Sequence, residues 1–102
     1  MKIIAVTSCP VGMAHTYMAA SALKKAAKNL GYEIKVETQG SMGIRDLLTK
    51  EDIEKADVFI DSADVAIIDQ KRFVDIKTYK TTTSKAIKQA EQEIIKAINS
   101  IK

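Results

Sequence analysis

Two uninterrupted apolar runs, Ile3-Ile4-Ala5-Val6 and Val58-Phe59-Ile60, constrain this chain more than any other feature. A strand that is apolar at every position is covered on both faces. Parallel sheets with helices above and below bury their strands in this way. Two further segments alternate instead. In Tyr32 to Gln39, Tyr32, Ile34, Val36 and Thr38 share one side, and Glu33, Lys35, Glu37 and Gln39 the other. Val74 to Thr78 alternates likewise. Period two with one wetter face predicts strands at the sheet edges.

Helical patterns fall between these runs. From about His15 to Leu30, Met18, Ala19, Ala22, Leu23, Ala26, Ala27 and Leu30 predict one wide apolar face, with Ser21, Lys24, Lys25 and Lys28 opposite. Gly31 is placed as its C-terminal cap. Thr49 is a good N-cap for a short helix, with Glu51 and Asp52 in its first turn. The sequence predicts a loop or single turn over Ile44 to Leu48, and some helical character over Asp69 to Phe73. Thr81 to Ser84 offer several N-caps for one last helix reaching about Ile101. Its inner face is Ile87, Ala90, Ile94, Ala97, Ile98 and Ile101.

The resulting order is β-α-β-α-β-α-β-α. Right-handed crossovers and central placement of the two continuous runs predict a three-layer α/β sandwich. Its sheet has four parallel strands in the order 2-1-3-4, a shortened flavodoxin-like, Rossmann-like arrangement. The direction of the sheet reverses beside the first strand, so the loop after that strand lies where α/β folds bind ligands. At 102 residues the chain is expected to form one domain spanning 1–102.

That loop holds the chain's one cysteine and one proline: Ser8-Cys9-Pro10-Val11-Gly12-Met13-Ala14. Backbone N–H groups at a helix start lack intrahelical acceptors, and the macrodipole makes the place favourable to anions. A thiolate is stabilised in such surroundings, and the same amides can hold a phosphoryl group carried on sulfur. A lone cysteine is otherwise a small buried hydrophobe, but Cys9 lies beyond the strand end, beside Pro10 and Gly12. No Gly-Lys-Ser/Thr follows, so this is not a Walker-type loop. It is closer to a Cys-x5-Arg phosphatase loop, with His15 at the arginine's position.

Other classes find little support. Lys and Arg number 16 against 13 Asp and Glu, a net charge of +3. The lysines are spread along the chain, and the five aromatics form no RNA-binding signature. Nucleic acid is therefore not an expected partner; a mildly positive surface suits an acidic protein. One cysteine makes no internal disulfide, which favours a reducing compartment. No stretch reads as a signal peptide or membrane span, so a cytoplasmic location without membrane insertion is expected. No feature calls for a metal or other cofactor.

Cys9-Pro10-Val11-Gly12-Met13-Ala14-His15-Thr16-Tyr17-Met18-Ala19-Ala20 resembles the Cys-Pro-Thr-Gly-Ile-Ala-His-Thr-Tyr-Met-Ala-Ala signature of fructose-type enzyme IIB domains. These belong to the bacterial phosphoenolpyruvate-dependent sugar phosphotransferase system. Glu37-Thr38-Gln39-Gly40-Ser41-Met42-Gly43, Ala56 to Ile60, Ala63-Asp64 and Arg72-Phe73 resemble later family segments. Val11 departs from the commoner Thr, and Asp61-Ser62 from a more apolar pair; neither change touches the cysteine.

The resemblance implies a phosphoryl carrier. Cys9 would accept a phosphoryl group from a phosphohistidine on enzyme IIA. It would then pass the group to a sugar, fructose at family level, held by membrane enzyme IIC. The expected phosphate cradle is Pro10, Val11, Gly12, Met13, Ala14, His15 and Thr16, through backbone N–H groups except at Pro10, which has none. His15 has two readings: contact with the phosphate or tuning of the thiolate, or a helix cap or hydrogen bond to the loop. Thr16 likewise bonds either phosphate or backbone. Gln39 to Arg45 is either a contact loop or a plain strand exit. Asp61 and Asp64 are either acids of a phosphatase or turn carboxylates. The competing functions are a low-molecular-weight phosphatase and a redox-regulatory cysteine protein.

Overall fold

The computed structural model describes residues 1–10, 13–40 and 43–101. Its elements are β1 (Lys2–Ser8), α1 (Met13–Leu30), β2 (Glu33–Gly40), β3 (Gly43–Arg45), α2 (Lys50–Lys55), β4 (Val58–Ala63), a 3-10 turn (Gln70–Phe73), β5 (Thr78–Lys80), α3 (Thr83–Lys88) and α4 (Ala90–Ser100). They form one sheet in the order β3-β2-β1-β4-β5. β2, β1, β4 and β5 are parallel, in the sequence-predicted 2-1-3-4 order.

The predicted strand count needs a correction. β3 adds a fifth, antiparallel strand beyond β2, pairing Thr38 with Arg45, Gln39 with Ile44 and Gly40 with Gly43. Three residues are too few to show a period of two, so Ile44 and Arg45 read as loop. β2 is consequently not an edge.

The central strands are apolar because both their faces are covered. Ile3, Ala5, Val36, Val58 and Ile60 meet Ala19, Ala20, Leu23, Ala26 and Ala27 of α1, with Ala86, Ile94, Ala97 and Ile98 of α3 and α4. The other face packs Ile4, Val6 and Phe59 against Leu48, Ala63, Ile67 and Phe73. The Phe59 and Phe73 rings stack at 4.0 Å, worth about 0.5–1.5 kcal/mol beyond the area they bury. The α1 stripe is narrower than predicted. Met18 is 52% exposed, and the buried stripe runs through Thr16, Ala20 and Leu23 instead.

Local chemistry sets the element ends. Gly31 has φ +80°, its N–H donates to the Lys28 carbonyl, and the Tyr32 N–H donates to Ala27. This double closure needs a left-handed residue and so a glycine. Thr49 and Asp52 cap α2 reciprocally. Thr82 caps α3 through the Lys85 N–H.

Two further boundaries differ. The predicted edge strand at Val74 to Thr78 begins only at Thr78, because 74–77 turn out of the 3-10 segment, with Ile76 packed inward and Val74 in solvent. The predicted single last helix breaks at Gln89, which has φ −143° and ψ 49°. Its side chain donates to the buried carboxylate of Glu93 at 2.8 Å, which Thr81 and Tyr79 also bond. Apolar periodicity continues across the break, so the pattern concealed it.

Candidate active site

Cys9 leaves the C-terminal end of β1 half-buried. On one flank, the Asp64 N–H donates to the Ser8 carbonyl at 2.8 Å and ties the end of β1 to that of β4. On the other, Thr16 holds the loop to its helix. Its hydroxyl accepts the Cys9 N–H at 3.1 Å, and its carbonyl accepts the Thr7 hydroxyl at 3.1 Å. Thr16 is only 1% exposed. The Thr16 hydroxyl thus bonds backbone here.

The helix begins at Met13, so the N–H groups of Met13, Ala14 and His15 occupy the turn that lacks intrahelical acceptors. His15 is exposed, and its Nδ1 lies 3.9 Å from Cys9 Sγ. Pro10 is exposed and offers no N–H. Val11, Gly12 and the Met13 side chain lie outside the described residues. Cys9, Pro10, Ala14, His15 and Thr16 therefore gather at one strand end and helix mouth.

The end of β2 and the strand β3 divide their side chains between the two faces of the sheet. Arg45 stands opposite Thr38, on the α1 side, with its guanidinium carbon 5.6 Å from the centroid of the Tyr17 ring. Such a contact is worth about 0.5–1 kcal/mol where exposed. Ser41 and Met42 lie outside the described residues.

Gln39 turns to the other face and joins a buried polar network. Arg72 grips Glu37 with both Nη atoms, at 2.8 and 3.0 Å. The Leu48 N–H and Gln39 Nε2 also donate to Glu37, at 2.8 and 2.7 Å. Gln39 Oε1 accepts the Ile68 N–H at 2.9 Å. Burial alone would push the Glu37 carboxyl up; the bonds from Arg72, Leu48 and Gln39, with the Arg72 charge, carry it net below the usual glutamate value. Glu37 is 0% and Gln39 2% exposed, which corrects their assignment to a wetter face. The alternation marks a polar face correctly, but segments 46–49 and 64–72 bury it at Glu37 and Gln39, while Glu33 stays exposed.

The carboxylates that a phosphatase would need are engaged elsewhere. Asp61, 7% exposed, accepts the Ala63 N–H at 3.1 Å and Lys80 Nζ at 3.2 Å. Asp64 accepts the Thr83 N–H at 3.1 Å and the Thr83 hydroxyl, anchoring the start of α3. Among the described residues, no group of three or more His, Cys, Asp or Glu side chains is placed to hold a metal ion.

Residues 4–96 match the family described as "PTS system, Lactose/Cellobiose specific IIB subunit". The chain is 51% identical over 90 residues to "PTS system fructose-like EIIB component 2" of Escherichia coli strain K12, spanning 88% of this chain and 85% of that one. It is 50% identical over 97 residues to the "PTS system fructose-specific EIIB'BC component" of Xanthomonas campestris, covering 95% of this chain and 17% of that longer protein. The solution structure of an enzyme IIB subunit from Escherichia coli K12 aligns with TM-score 0.88 at 47% identity, over 98% of this chain and 92% of that one. A crystal structure of a domain from the fructose-specific IIABC component of Borrelia burgdorferi aligns with TM-score 0.89 at 51% identity, over 96% and 93%.

Proposed function

The chain belongs to the IIB family of the sugar phosphotransferase system, and from that premise we propose that Cys9 is its phosphoryl-carrying nucleophile. The donor is a phosphohistidine on enzyme IIA. Attack by sulfur forms the S–P bond as the donor N–P bond breaks, and the thiol proton leaves with the departing imidazole. In the second half the sugar hydroxyl oxygen attacks phosphorus, an O–P bond forms as the S–P bond breaks, and the hydroxyl proton passes to sulfur to regenerate the thiol. The acceptor is a sugar held by membrane enzyme IIC. Among the described residues, no helix of this chain is long and apolar enough to cross a membrane, and membrane passage is the work of that partner.

The single observation that carries this reading is the fixing of Cys9 by Thr16 at the mouth of α1. Phosphoryl transfer asks a protein for position and for charge stabilisation more than for covalent chemistry. The hydroxyl–amide bond supplies position. The first-turn N–H groups of Met13, Ala14 and His15, with the helix dipole behind them, supply charge stabilisation. His15 Nδ1, 3.9 Å from Sγ, is close enough to orient the sulfur or follow the phosphoryl group. The fusion of B and C components named in the Xanthomonas relative supports the IIC partner. Fructose is the proposed sugar, because the relatives' names carry it, although the family description names lactose and cellobiose.

The test is reconstitution. Membranes containing a fructose-type IIC, a phosphorylated IIA and this chain are expected to convert labelled fructose to its phosphate. The reaction should stop when Cys9→Ser replaces the chain. Sugar phosphate formed equally well by Cys9→Ser overturns the assignment.

A further inference from the structure

The chain has two arginines, and they stand in opposite circumstances. Arg72 is committed to Glu37 through both Nη atoms and to the carbonyls of Leu48, Ile68 and Asp69. Arg45 is exposed, and among the described residues no carboxylate lies within ion-pair distance of it. Its neighbour Asp46 lies 3.9 Å from Lys24 instead.

The sheet register puts Arg45 level with the end of β1, two strands away on the face that α1 covers. Thr7, Thr38 and Arg45 lie on one line across β1, β2 and β3, and Thr7 is two residues before Cys9. Directly opposed residues leave a sheet on the same face. Thr38 shares its face with Val36, whose side chain belongs to the α1-side core. The guanidinium accordingly rests 5.6 Å from the Tyr17 ring centroid, and Tyr17 follows His15 by two residues on the helix whose mouth holds Cys9. A cation parked against the first turns of a helix faces the positive end of the dipole. An anion between the two turns that arrangement from unfavourable to favourable.

Resting on the carrier reading above, we infer that Arg45 is the guanidinium of this site. It pivots from the Tyr17 ring to two phosphoryl oxygens when Cys9 is loaded. Phosphatase loops carry an arginine six residues after their cysteine; His15 fills that position here, and the planar fork comes from β3, two strands away. Arginine suits the task because its fork matches two oxygens of one phosphoryl group. It makes and breaks no covalent bond, and its N–H groups donate to the dianion throughout.

The experiment is a phosphorus NMR pH titration of the loaded wild type, Arg45→Gln and Arg45→Lys, with transfer rates from phosphorylated IIA. Arg45 is an exposed side chain on an edge strand, and circular dichroism checks that the variants fold. In Arg45→Gln the phosphoryl group is expected to titrate about half a unit or more higher, and loading to slow about tenfold. Arg45→Lys is expected to recover part of the titration shift, because it keeps the charge without the fork. Equal titration and equal rates in wild type and Arg45→Gln overturn the inference alone. A wild type that never shows a thiophosphate resonance overturns the carrier reading and takes this inference with it.

Discussion

The Thr16 hydroxyl accepts the backbone N–H of Cys9 at 3.1 Å, across seven residues of chain. This bond makes the loop and the helix one unit. Thr16→Val keeps the shape and removes the acceptor, leaving a partly buried N–H unpaired. The expected cost is about 1–3 kcal/mol of stability, read by urea unfolding. Transfer should also slow about tenfold as the sulfur loses its placement. Thr16→Ser should restore both. A Thr16→Val variant that unfolds and transfers like wild type contradicts this role.

Cys9 and His15 should separate in a transfer assay. Cys9→Ser removes the nucleophile and should abolish loading with the fold intact. His15→Ala removes one side-chain contact from a cradle built chiefly of backbone, and should slow loading about tenfold, the scale of one charge-assisted hydrogen bond. Equal loss in both variants would make the imidazole essential.

Among the described residues, Arg72 is the only cation bonded to the buried Glu37. Arg72→Met strips that charge and leaves a desolvated carboxylate, at an expected cost of about 3–5 kcal/mol. Glu37→Gln in the Arg72→Met background should recover much of the loss, because the orphaned charge is then gone. Urea midpoints of the two variants decide it. An exposed-surface effect of about 0.5 kcal/mol or less would show that the pair carries little. The same carboxyl is held below its ordinary value of 4.5. Its contribution is therefore present above about pH 4.5 and lost as pH falls through its lower folded value.

Asp52 predicts a second acid-labile contribution. Hydrogen bonds from Lys35 and from the Thr49 backbone hold its carboxyl at about 2, against an ordinary 3.8. A depressed folded value means stability that is whole above the unfolded value and fades as pH falls toward the folded one. Wild type should therefore lose more stability than Asp52→Asn between about pH 4 and pH 2. Denaturant titrations at several acid pH values measure it. Parallel curves for the two proteins contradict the role.

Much of this was legible in the chain. Ile3 to Val6 and Val58 to Ile60 announced central strands, and the order of the four parallel strands followed from them. Gly31 and Thr49 marked helix ends because each has a specific backbone task. What escaped were features that depend on distant residues. β3 exists through its pairing with β2, not through a pattern of its own. Glu37 and Gln39 read as wet because nothing local reveals that Arg72, 35 residues beyond Glu37, arrives to neutralise one of them. The break at Gln89 is hidden by apolar spacing that runs straight through it. At the site, Cys9 and its helix were visible as a contiguous stretch, whereas the approach of Arg45 to Tyr17 needed the sheet register to bring it about.

The most direct measurement is phosphorus NMR of this chain incubated with phosphoenolpyruvate, the general transfer proteins and a fructose-type IIA, alongside Cys9→Ser. The account predicts a lasting thiophosphate resonance in the wild type and none in Cys9→Ser. With IIA demonstrably phosphorylated, no such resonance, or free phosphate accumulating through Cys9, would contradict it.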